Sequence, residues 1–485
     1  INPSFIEGDL YINEESFIHQ RQSENLQPNY IYTGNESPIT SGQQLISSTS
    51  QKDISSGVLI LQSVLKTQPK LCLQSINDET IDKLISLISN SDIDFQLQNQ
   101  ILEFMADLSQ ADKRITHMFW NKDFQQILIG ILSEENPSVL LTAPIIILSE
   151  MANWTKLSFD ILFENHFFDI LSSKLSRPLS IFDQFGVLHG IYSIVNTKWP
   201  KPETFYNTII TSICSYIMSN ELTDQILGEA FKIISSALGS SKSDETDESP
   251  QSDRLLNDFD FAPICSYAIS ELQKRKRSDT RVQLVRFICD AIYRNDCLAN
   301  IFLDLHIIDV FHELLKLPSE EFVINALSTV RNCLIASPQT LSYLDNSDFL
   351  HDAFQYLMFG TQKMKFEALS MFEMILSSQN KFFNAEFGRK VLDQFDLISV
   401  LTDFLQLDES ENILIIYDCL SCIYSCIHIY NVTGWEQGNP SPIIKAFLED
   451  ELIYESLVRL AEYNELSIQG LANLIKKEVT PFLSE

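Results

Sequence analysis

At 485 residues the chain is too long for one compact core, so it forms several domains or an elongated repeat array. Glycine numbers only 14, too few for sheet-rich folds with many tight turns, and helices are favoured. The net charge of −31 excludes a basic nucleic-acid footprint and suits either a basic protein partner or plain solubility.

Residues 1 to 53 are rich in Ser, Asn and Gln without sustained periodicity, and are expected to form a flexible or loosely docked arm. From Ile54 the sequence reads as helix after helix, with polar breaks such as Ser89-Asn90-Ser91 and Glu134-Glu135-Asn136-Pro137 and no credible strands. One shape recurs: a long apolar helix, a polar turn and a shorter helix. Equivalent positions on the long helices are Asp107, Glu150, Asn196, Ser235, Asp290, Asn332 and Met374, separated by 43, 46, 39, 55, 42 and 42 residues. Apart from one interval this is the period of roughly 40–47 residues shared by armadillo and HEAT repeats. The expected fold is therefore all-α, an armadillo-repeat superhelical solenoid of about nine or ten repeats over residues 54–480, with 481–485 as a tail.

The long interval holds residues 239–258, GSSKSDETDESPQSDRLLND, an acidic insertion that cannot bury enough apolar surface to pack and is expected to be disordered. Beyond it, Lys274-Arg275-Lys276-Arg277 is the one strong basic run, expected to face solvent at a helix C-terminus. Cys419, Cys422 and Cys426 fall at helical spacing, so they read as a buried stripe of reduced thiols, not as a zinc site. No apolar run approaches the length of a membrane span.

The stretch Gly186 to Pro202, GVLHGIYSIVNTKWPKP, organises the functional reading. Val187, Ile191, Ile194 and Val195 make an apolar stripe, and Pro200 and Pro202 stop the helix near Lys198. Tyr192 and Asn196 stand one turn apart, an aromatic to cover an aliphatic stem and an amide to pair with peptide backbone. No GxGxxG or GxxxxGK[ST] loop occurs, and His312-Glu313 lacks the second histidine of HExxH, so the chain is read as a binding protein without cofactor or metal and not as an enzyme.

Three passages resemble the importin-alpha family of armadillo-repeat nuclear-import adaptors: Tyr192 to Pro202, Leu65 to Ser109, and the C-terminal segment from GWEQGNPSP onward with Asn439-Pro440. In that family tryptophans and asparagines on successive repeats hold a basic nuclear-localisation signal in a concave groove. Transferred by position, the resemblance implies the pairs Glu103/Asp107, Ile146/Glu150, Tyr192/Asn196, Phe231/Ser235, Arg286/Asp290, Ser328/Asn332 and Ser370/Met374. Of these, Tyr192, Asn196, Glu103, Asp107, Glu150, Phe231, Ser235, Asp290 and Asn332 are the expected peptide-binding residues. Only Tyr192/Asn196 keeps both chemical roles, while Asp107, Glu150 and Asp290 put carboxylates where amides stand in the family.

The implied function is a nuclear transport adaptor for a basic peptide or protein cargo, shared between cytoplasm and nucleus, with importin-beta and an alpha-specific exportin as further partners and neither nucleic acid nor membrane. The basic importin-beta-binding arm of the family has no counterpart in residues 1–53. The alternative is an armadillo scaffold or dedicated chaperone in a stable complex, without transport activity.

Overall fold

The computed structural model describes residues 37–90, 92–120, 124–133, 141–201, 203–240, 260–294, 296–317, 319–407, 409–435 and 439–483. Among them are 27 α-helices, one short 3₁₀ turn and no strand. The chain packs as two units, one ending at Phe124 and one beginning at Gln125.

The first unit contains α1 (Pro38–Ile46), α2 (Gln51–Thr67), α3 (Pro69–Ser75), α4 (Asp78–Ile88), α5 (Phe95–Ala111) and α6 (Lys113–Trp120). The packed region therefore starts earlier than the expected residue 54. Ser37 caps α1 by accepting from Thr40 N–H at 3.2 Å, and Ile39 and Ile46 of that helix are buried. Helices α1 and α2 meet at two glycines: a Cβ on Gly57 would lie 2.7 Å from the Gly42 carbonyl oxygen, so no larger residue permits this approach. Residues 1–36 of the expected arm lie outside the described residues, as does most of the acidic insertion, 241–259.

The second unit opens within α7 (Phe124–Ser133) and has α8 (Thr142–Trp154), α9 (Lys156–Glu164), α10 (Phe167–Leu175), α11 (Ile181–Asn196), α12 (Glu203–Ser219), α13 (Asp224–Ser240), α14 (Ala262–Lys274) and α15 (Ser278–Arg294). It continues with α16 (Asp296–Asp304), α17 (Ile307–Leu315), α18 (Glu320–Ala336), α19 (Gln339–Asp345), α20 (Phe349–Phe359), α21 (Gln362–Leu376), α22 (Ala385–Gln394) and α23 (Leu397–Phe404). It closes with α24 (Glu409–Val432), α25 (Pro442–Glu449), α26 (Glu451–Ala461) and α27 (Leu466–Val479).

Long helices pack one on the next in the order α8, α11, α13, α15, α18, α21, α24, α27, and shorter helices intervene, usually as pairs. The stack of long helices with shorter ones between them makes the second unit an all-α helical-repeat solenoid. Its pitch is visible in side-chain bonds between neighbouring repeats. Asn153 Nδ2 donates to Ser193 Oγ across 40 residues, Asn332 Nδ2 to Cys289 Sγ across 43, and Ser421 Oγ to Glu373 Oε1 across 48. In the first unit Ser55 Oγ donates to Gln100 Oε1 across 45 residues.

Each element follows from local sequence. In α11, Ser180 accepts from Asp183 N–H at 3.1 Å as N-cap, the stripe Val187, Ile191, Ile194 and Val195 is buried, and the helix ends at Asn196 just before the prolines. Gly190 lets α11 approach α8, since an added Cβ would come within 2.3 Å of Ile145 Cγ2. His166 and His306 occupy matching corners before α10 and α17 with left-handed φ of 55° and 58°, and each presents Nδ1 to an aspartate three residues on, Asp169 at 2.9 Å and Asp309 at 3.6 Å.

One expectation about α24 is corrected. Asn412–Val432 is long and apolar enough to cross a membrane by length and composition. In the fold it packs against α21, α22, α23, α25 and α27, with Cys419, Cys422 and Cys426 wholly buried, as the central helix of the last repeats.

Candidate functional site

Most of the expected binding residues fall along the ladder of long helices in the second unit, where burial and hydrogen-bond partners place each of them. On α11, Tyr192 is half-buried and Asn196 exposed. Both are engaged from within the chain. Lys232 Nζ of α13 lies 4.2 Å from the Tyr192 ring centroid, and Asn196 Nδ2 donates to the Tyr192 carbonyl at 2.8 Å. The nearby Trp199 is structural: its Nε1 donates to the Ala152 carbonyl at 2.8 Å and ties the end of α11 to α8.

The expected pair on α13 is displaced by one residue. Phe231 is fully buried with its ring 5.0 Å from that of Phe287, and Ser235 is buried as well. The residue that reaches the ladder surface is Lys232, partnered by Glu229 at 3.7 Å, one turn back on the polar side of the helix. Phe231 and Ser235 are therefore core residues. Asn332 is also nearly closed off at 8% exposure, with its amide on Cys289. Asp290 and Glu150 are half-buried on α15 and α8, and Arg286 is exposed.

Glu103 and Asp107 belong to α5 of the first unit. Asp107 Oδ2 accepts from Gln62 Nε2 at 2.9 Å, and both carboxylates act on Lys66, whose ammonium burial holds below its ordinary value despite them. They form a small electrostatic group of their own with α2.

A further polar constellation has its charged members outside the expected residues, although Ser328 and Ser370 stand in the transferred pairs. It lies on α18, α21 and α24 and comprises Arg331, Glu367, Glu373 and Asp418, with Ser328, Ser370 and Ser421 between them. Arg331 Nη1 is 3.3 Å from Glu367 Oε2, and its Nη2 donates to Ser328 Oγ at 3.2 Å. Ser370 Oγ donates to Asp418 Oδ2, and Ser421 Oγ to Glu373 Oε1 at 2.8 Å. Burial pushes all three carboxyls above their ordinary range, with Arg331 opposing the shift at each. Three carboxylates thus share one guanidinium in a partly desolvated setting. Among the described residues no group of three or more His, Cys, Asp and Glu side chains has metal-ligand geometry.

The signal for this constellation was present in the period. One further step of 44 residues from Met374 reaches Asp418, within a long apolar helix broken only by a backbone kink at Asn412 near its start.

No protein-family model and no curated protein matches the chain. Among solved structures, the crystal structure of an engineered protein is similar over 92% of this chain and 99% of its own, with a TM-score of 0.70 and 14% sequence identity. That likeness shows the fold alone and agrees with the helical-repeat solenoid.

Proposed function

We propose that the chain is a binding adaptor that holds a basic segment of a protein partner against the carboxylates of α21 and α24. One observation carries this reading. Glu367, Glu373 and Asp418 are withdrawn from water beside Arg331, the one cation acting on all three among the described residues. A lysine or arginine arriving there meets uncompensated negative charge at low dielectric. Serine hydroxyls hold two of these carboxylates in place, so little reorganisation accompanies binding.

The importin-alpha resemblance extends the proposal to nuclear transport between cytoplasm and nucleus, with importin-beta and an alpha-specific exportin as further partners. A second reading, a scaffold or client chaperone that no longer captures transport signals, is favoured by the closure of Tyr192 and Asn196 from within. Titration of the full chain with a labelled lysine-rich peptide, at low and physiological salt, tests the shared part. Saturable, salt-weakened binding that is lost with Glu367→Gln, Glu373→Gln and Asp418→Asn supports the site, and absence of binding overturns it. Affinity capture from a native extract separates the readings, since a transport receptor supports the adaptor and a fixed stoichiometric assembly without one supports the scaffold.

A further inference from the structure

The cations of the second unit differ in how far the chain has already used them. In the basic run at the end of α14, Arg275 turns inward, donating from Nε to Glu271 at 2.7 Å and from its guanidinium to Asp224 and to the Leu222 carbonyl at 3.0 Å. Lys274 approaches Glu271 at 3.4 Å and Arg277 approaches Asp279 at 3.5 Å. On the ladder, Lys232 lies over Tyr192 beside Glu229, and Arg331 lies against Glu367 and Ser328. Arg286 of α15 is different. It is exposed, and its guanidinium makes no ion pair or hydrogen bond with any described residue.

Arg286 belongs to the same stretch of long helices as the carboxylates of α21 and α24. Asn332 of α18 reaches Cys289 of α15. Burial pushes that thiol up to about 12, with Asp290 and Glu367 adding to the rise and Arg331 opposing it, so charges of α15, α18 and α21 meet around one side chain. Arg286 stands one turn before Asp290, and its field reaches Glu321 of α18, whose carboxyl is raised by burial and lowered by Arg286. Along this stretch the available charge changes sign. An unpaired guanidinium stands on α15, and three carboxyls that share Arg331 stand on α21 and α24.

We propose that the basic segment held at α21 and α24 also carries an acidic side chain at a set distance from its lysines, and that Arg286 receives it. This rests on the reading of those carboxylates as the cation site. Packed helices lie about 8–10 Å apart, so α15 and α21, two steps apart in the stack, are separated by about 16–20 Å. An extended peptide covers that span in about five or six residues at ~3.3 Å each. A segment of lysines alone is repelled by Arg286, whereas one with Glu or Asp at this spacing is complementary at both ends. The order of charges along the helices thus selects a bipolar segment and fixes its direction.

The test is competition fluorescence anisotropy of the full chain with three peptides at low salt. One has a lysine cluster flanked on both sides by serines. The others replace a single serine by Glu, about six residues before the cluster or about six residues after it. One of the two Glu peptides should bind about two- to five-fold tighter than the serine peptide, the range of an exposed charge pair. Arg286→Gln should abolish that gain without weakening the serine peptide. Arg286→Glu should reverse the preference, so that Lys at the same place becomes the tighter choice. Arg286 is exposed and unpaired, so both variants fold. The proposal is overturned if neither Glu peptide gains over the serine peptide, or if the gain survives Arg286→Gln. Binding of the lysine cluster without any gain from Glu removes this inference alone, while failure of all three peptides to bind removes the cation site with it.

Discussion

Two stretches of the same ladder of long helices use polar side chains to opposite effect. On α11 and α13 an aromatic ring, an amide and a lysine satisfy one another, with Lys232 over Tyr192 and Asn196 on its own helix carbonyl. On α18, α21 and α24 three carboxylates face one arginine and remain partly uncompensated. Residue types suited to peptide capture are therefore no evidence of an open site. What matters is the charge and hydrogen-bonding capacity left after the chain has served itself.

The largest expected effect comes from removing the uncompensated charge. The combined Glu367→Gln, Glu373→Gln, Asp418→Asn variant should lower affinity for a lysine-rich peptide by a hundredfold or more, since each lost charge-assisted bond is worth about 1.5–3 kcal/mol. Calorimetric titration measures it, and an unchanged affinity would remove the distinction between the two stretches.

A pH series sharpens the same contrast. Burial raises the folded-state values of these carboxyls above the ordinary 4.5 for Glu and 3.8 for Asp, so they take up protons as pH falls toward that range. Peptide affinity should fall there, because the charged form is the one that binds. Stability should move the other way. A raised folded value favours the protonated folded state, so this contribution is fully present below the unfolded values and is lost as pH rises through the folded ones. Urea melts at neutral and mildly acidic pH should therefore show wild type gaining relative to the triple variant as pH falls.

A smaller effect is expected at the closed stretch. Lys232→Met frees the face of Tyr192 while keeping most of the aliphatic stem, and should strengthen peptide binding about two- to five-fold, equivalent to a cation–π contact of roughly 0.5–1 kcal/mol. The gain should vanish when Tyr192→Ala is added. The smallest effect is at Asn196→Ala, where peptide affinity and melting should each change by no more than about 0.5 kcal/mol, because the amide is turned onto its own helix.

The repeat architecture was legible because a period of about 42 residues and a consistent apolar stripe leave few other ways to bury the helices. The register on individual helices was less so. Phe231 and Lys232 are adjacent in a segment apolar on most of its circumference, and only the Glu229–Lys232 spacing marks the polar side. Asp418 escaped notice because α24 runs on as an apolar helix, with only a backbone kink at Asn412 near its start. Exposure and internal pairing, which decide whether Tyr192 or Glu373 is available, arise from residues roughly a repeat away and have no local signature in the chain.

The inward turn of Arg275 bears on how such an array can change over generations. Its guanidinium joins the end of α14 to Asp224 and Leu222 at the start of α13, and Thr280 Oγ1 adds a bond of 2.9 Å to the Asp224 carbonyl. With the two helices stitched together at that end, their mutual placement no longer relies on the connector joining the opposite ends. Lengthening a connector of this kind adds only about 0.6 kcal/mol of closure entropy per doubling. The span between Ser240 and Asp260 is thus the natural place for this solenoid to acquire new sequence without disturbing its stack.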